Sequence, residues 1–116
     1  MTLQDLYEDM EGNYPEVIKR FTKEERIIKY LKKFQTQPTI RLIREALEGA
    51  DYELAFREVH NLKGVCASLG MTKLRAVAEI LTEALRGGEP KGDVMQMFFD
   101  VQREYDKVMI SLVKGL

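Results

Sequence analysis

Cysteine occurs once in this chain of 116 residues, at Cys66, which excludes an internal disulfide framework and suits a reducing compartment. Histidine also occurs once, at His60. A carboxylate-bridged metal bundle draws Glu-x-x-His pairs from facing helices, so a single histidine argues against that class of metalloenzyme. No apolar run approaches the ~18 to 20 residues that span a bilayer, and no membrane segment is expected. Met1-Thr2-Leu3-Gln4-Asp5 carries neither the basic nor the apolar region of a secretory leader, so the expected location is cytoplasmic. Neither sign of charge is in excess, with 18 Lys plus Arg against 19 Asp plus Glu, and nucleic acid is not an expected partner. The only glycine-rich stretch, Gly87 to Gly92, reads as a turn rather than a phosphate loop opening a helix, so no nucleotide site is expected.

What is present fits a small globular domain. Hydrophobic residues make up 45% and charged residues 32% of the chain, and its length leaves room for one domain, residues 1–116. The apolar period is helical almost throughout. A short first helix over about residues 2 to 10 ends near Gly12, and Asn13 with Glu16 restarts the chain around Pro15. Thr22 with Glu25 repeats that capping pattern ahead of a stripe of Ile27, Ile28, Leu31 and Phe34. Pro38 interrupts the helix, which resumes through Ile40, Ile43 and Leu47 and stops at Gly49. Asp51 caps a helix over about residues 52 to 69 that Gly70 closes, and Thr72 is expected to cap the next. That helix buries Leu74, Val77, Ala78, Leu81 and Leu85. After Asp93, Val94, Met97, Phe98, Val101, Tyr105, Val108 and Leu112 mark a long terminal helix. Short polar connectors favour antiparallel neighbours. The expected fold is therefore all-α: an antiparallel four-helix bundle, its core over about residues 25 to 115, with additional short helices within about residues 1 to 35. The basic clusters Lys19-Arg20, Lys29 and Lys32-Lys33 read as solvated helix faces.

At ~100° per residue, the helix of residues 52 to 69 places Ala55, Leu62, Val65, Cys66 and Leu69 on a core side, with His60 roughly opposite. His60 shares its side with Glu53, Phe56, Arg57, Lys63, Gly64 and Ala67. A solvent-facing imidazole on a rigid element can act as a nucleophile through an unprotonated ring nitrogen. Lys63, one turn on, can set an ammonium beside a phosphoryl group bound to that ring. Gly64 leaves the imidazole uncrowded, although glycine inside a helix costs about 1 kcal/mol relative to alanine. Ala67 keeps the approach open in the same way. The bland readings are a surface histidine, a solvated lysine, a buried structural thiol at Cys66, and core-filling Met95, Met97 and Met109.

His60-Asn61-Leu62-Lys63-Gly64 resembles the H-x-L-K-G signature of histidine-containing phosphotransfer domains. Leu69-Gly70 falls where that family closes its phosphorylated helix, and Leu74, Val77 and Leu81 continue in its register. Leu47 to Tyr52 looks like the family's turn ahead of this helix. The likeness spans residues 25 to 113 in layout and is specific over residues 47 to 85. It implies a phosphorelay intermediate in two-component signalling, with His60 taking a phosphoryl group from an aspartyl phosphate on one receiver domain and giving it to another. It also implies a carrier rather than an enzyme, with no cofactor of its own and the divalent metal on the partner. The implied partners are response-regulator receivers and a hybrid sensor histidine kinase, met by a monomer. Two positions depart from the pattern. Thr82 stands where the family often has a Glu or Gln facing the histidine, and is expected to be a supporting group at most. Phe56 replaces a small residue one turn before His60, either as an apolar contact for a docking receiver or as a packing residue. The competing reading is a non-catalytic scaffold of the same fold that binds a receiver or kinase.

Overall fold

The computed structural model describes every residue from Met1 to Leu116. Seven helices and no strand make up the chain: α1 (Leu3–Asp9), α2 (Tyr14–Phe21), α3 (Glu24–Thr36), α4 (Thr39–Glu48), α5 (Tyr52–Ser68), α6 (Thr72–Leu85) and α7 (Val94–Gly115). From α4 onward each helix packs on its successor, and α7 returns to touch α4, so these four close a ring. Inside it lie Ile43, Val59, Leu62, Cys66, Leu81, Phe98, Val101 and Leu112, all essentially solvent-free. Burying side chains of this size supplies about 1.5 to 3 kcal/mol each, which makes the ring the main source of stability.

The shorter helices lie outside the ring. α1 packs on α7 and α2, α2 on α3, and α3 on α7. A second junction with the bundle is the turn after α5. There Gly70, at φ 66°, takes the left-handed conformation while Met71 N–H donates to Cys66 O at 2.9 Å, which closes the helix as a Schellman turn. Asn13 N–H donates to Gly70 O at 2.9 Å, and the Tyr7 hydroxyl donates to Leu69 O at 2.7 Å. A Cβ on Gly12 would stand 2.7 Å from Gly70 O, so the backbones meet too closely for any other residue. Arg20 donates to the carbonyls of Ala67 and Ser68 at 3.2 and 2.5 Å, placing a cation on the negative end of α5. The solvated face expected around Lys19-Arg20 is therefore, at Arg20, a cap on another helix.

Two caps differ from the sequence expectation. Thr22 does not open α3; at φ 65° it closes α2, and its hydroxyl donates to Phe21 O at 2.6 Å. Only Thr22 and Lys23 separate the two helices, so the end of α2 claims the threonine and α3 starts without a side-chain cap. Thr72 is the first residue of α6 rather than its cap, because Met71 is drawn into the core and occupies the cap position. α4 stops at Gly49, as expected, and the left-handed residue beyond it is Ala50 (φ 55°). Asp51 N–H donates to Ala46 O at 2.8 Å there, so this turn is again Schellman-like, built on a residue that carries a Cβ.

Candidate functional site

Because the ends of α5 are fixed, so is its middle. Asp51 accepts from Leu54 N–H at 3.2 Å, while the Gly70 turn and Arg20 hold the far end. Ala55, Val59, Leu62 and Cys66 face the core, and His60 is exposed on the outer side, as the helical wheel required. Val65 differs from expectation, being only half-buried and turned toward a surface groove. Burial pushes the Cys66 thiol up to about 12, which leaves it a packing residue without thiolate chemistry at neutral pH.

Around His60 the residues singled out from the sequence separate into two sides. Gly64 is exposed, and a Cβ built there meets nothing within 4 Å, so nothing inside the protein demands glycine. Ala67 is half-buried one turn further on. Lys63 is half-buried on the side of α6, near enough for its charge to act on Glu83. The Glu83 carboxyl is held below the ordinary carboxylate range, first by hydrogen bonds from Arg86 and further by the charges of Arg86, Lys63 and Lys91. Phe56 stacks on His60, with ring centroids 5.7 Å apart and planes 10° from parallel. The Arg86 guanidinium lies 5.3 Å from the centre of the same phenyl ring, and Glu83 grips it through two bonds of 2.7 and 3.0 Å.

Thr82 does not support His60. It is fully buried, and its hydroxyl donates back to Ala78 O at 2.7 Å, the bond a threonine makes inside a helix when it faces apolar surroundings. The expectation of a hydroxyl near the imidazole is corrected accordingly. Glu83 and Arg86, on the exposed side of α6, were missed by sequence reasoning. Their three-residue spacing is legible as an ion pair, but nothing local shows that Arg86 reaches Phe56.

On the other side of α5 lies a groove of about 770 Å³. His60, Gly64 and Val65 form one wall; Phe21, Tyr30, Lys33 and Phe34 form the other, with Tyr105 of α7 below. Phe21 and Tyr30 pack tilted at 5.3 Å, and Phe34 and Tyr105 at 5.7 Å, so the groove is aromatic and braced. Phe56 does not line it. Lys33, read from sequence as part of a solvated cluster, does. No set of three or more His, Cys, Asp or Glu side chains is placed to hold a metal ion, and no helix is long and apolar enough to cross a membrane.

The family model of the Hpt domain matches residues 33–109, from the last turn of α3 to well inside α7. The chain belongs to the Hpt domain family. Hpt domains act in phosphotransfer in two-component signalling and interact with receiver domains in phosphorelays. In this Hpt domain the match includes the whole of α5 and α6, and leaves outside it α1, α2 and therefore Phe21 of the groove. Comparisons with curated proteins and with solved structures gave no match.

Proposed function

We propose that this Hpt domain is a phosphorelay intermediate that accepts a phosphoryl group on His60 from the aspartyl phosphate of one receiver domain and passes it to another. The observation that carries the reading is an exposed imidazole in the middle of a doubly capped helix, with open space over Gly64 one turn away. In the transfer, the lone pair of an unprotonated ring nitrogen forms the P–N bond as the P–O bond to the receiver carboxylate breaks, and that electron pair leaves on the carboxylate. The reverse exchange delivers the group to the second receiver. Lys63 supplies a positive charge one turn from the acceptor, Gly64 and Ala67 leave room for the receiver's active site, and most of the work is positioning and charge stabilisation. The divalent metal sits on the receiver; the chain itself acts as a carrier without cofactor or substrate pocket.

The docking surface we assign to the receiver is the exposed side of α5 with the aromatic groove beside it, where apolar area and the acceptor adjoin. A hybrid sensor histidine kinase is a natural source of one receiver. The proposed arrangement of α4 to α7 is antiparallel, supported by the short connectors from α4 to α5 and from α5 to α6. A monomer in the cytoplasm is the setting that the balanced charge and the lone buried cysteine suit.

The test is phosphotransfer from a panel of phosphorylated receivers to the wild type and to His60→Gln. Label that is acid-labile, base-stable and lost in His60→Gln is expected. Receiver binding without any transfer would replace the relay by the scaffold reading.

A further inference from the structure

The acceptor proposed above has no polar group holding its ring from the α6 position where one was expected, since Thr82 is buried and bonded to Ala78 O. A free imidazole on a helix surface turns about its side-chain bonds, and a turning nucleophile meets an in-line phosphorus less often. The structure offers another restraint. Phe56 precedes His60 by four residues, the spacing at which helical side chains meet, and the two rings lie nearly parallel. Phe56 is itself half-buried and packed against the core, so it is a fixed surface rather than a second loose ring. Arg86 lies over the phenyl and is in turn gripped by Glu83, which ties the stack to the end of α6.

We propose that Phe56, braced by Arg86, is a positioning residue that fixes the plane of the His60 imidazole by stacking, in place of a hydrogen bond to a ring nitrogen. The two devices differ chemically. A hydrogen bond occupies one nitrogen and selects a tautomer. A stack restrains the ring plane and leaves both nitrogens unoccupied. The proposal deepens the phosphorelay reading and rests on His60 as acceptor. It removes Phe56 from the docking role, in keeping with its absence from the groove wall.

A small phosphoryl donor separates positioning from docking, because it needs no protein surface. With phosphoramidate, the donor P–N bond breaks as the bond to the imidazole forms, and ammonia leaves. We expect Phe56→Ala and Phe56→Leu to slow this labelling about two- to tenfold, the range an aromatic pair's contribution allows, and Phe56→Tyr to restore most of the rate. Arg86→Gln should give a smaller loss in the same direction. Since the chain has one histidine, its two imidazole C–H proton signals are unambiguous. Loss of the phenyl ring current should move them in Phe56→Ala and Phe56→Leu, with Phe56→Tyr close to wild type. Leucine keeps apolar bulk, so a misfolded alanine variant does not decide the matter. Wild-type phosphoramidate rates in Phe56→Leu, with slowed transfer from a receiver alone, would make Phe56 a docking contact and overturn the proposal. Labelling that survives His60→Gln would instead remove the acceptor reading itself.

Discussion

Gly64 carries a cost that the fold does not explain. A Cβ there meets nothing, so Gly64→Ala should gain the usual helix advantage of alanine, about 1 kcal/mol, in a denaturant titration. In the proposed relay the same methyl group enters the space a receiver's active site would use, and transfer from a phosphorylated receiver should fall. A variant that is more stable and transfers faster would contradict the steric account. His60, Lys63 and Gly64 were legible in the sequence because their relation is set by one helix and its period. Thr82 was not, because its role depends on which way α6 is rolled against α5. Two neighbours on α6 show the roll: Thr82 is buried while Glu83 is exposed. Phe56 was legible only as an anomaly, since the guanidinium that braces it arrives from another helix.

Among the elements, caps that act within their own first turn were readable and caps contested by a neighbour were not. Asn13, Asp51 and Asp93 each accept from the backbone N–H three residues on, at 3.0 to 3.2 Å, which local sequence specifies fully. Thr22 and Thr72 have the same chemistry, yet one is taken by the preceding helix and the other displaced by Met71 entering the core. At the Ala50 turn the strain lies in the backbone itself. A residue with a Cβ at φ 55° bears strain that glycine would not, and glycine gives back part of that gain through a freer unfolded chain. Ala50→Gly is expected to raise stability by about 0.5 to 1 kcal/mol, seen as a higher denaturation midpoint at unchanged slope. A lower midpoint would show that the left-handed turn is not populated in solution.

At the scale of the molecule, α1 is tied to the bundle by polar links that sequence alone could not pair. Ser111 donates to Asp9 at 2.6 Å, Lys114 bridges to the same carboxylate at 3.2 Å, and Lys73 pairs with Glu11. Asp9 is held below its ordinary value of 3.8, chiefly by the Ser111 hydrogen bond and then by Lys114. Glu11 is held below 4.5 by the hydrogen bond and charge of Lys73. Carboxyls depressed on folding contribute stability above their unfolded pKa and lose it as pH falls through the folded one. Lys73, raised above 10.5, keeps its share until the solution is strongly alkaline. The lone exposed imidazole, bordered by one groove, has a kinetic consequence. In the proposed relay, donor and acceptor receivers would dock on the same exposed side of α5, so no ternary complex would form and each would leave before the other arrives. Such a carrier runs by strict alternation, its throughput capped by how fast a spent partner departs. Tighter docking would then slow the relay rather than speed it.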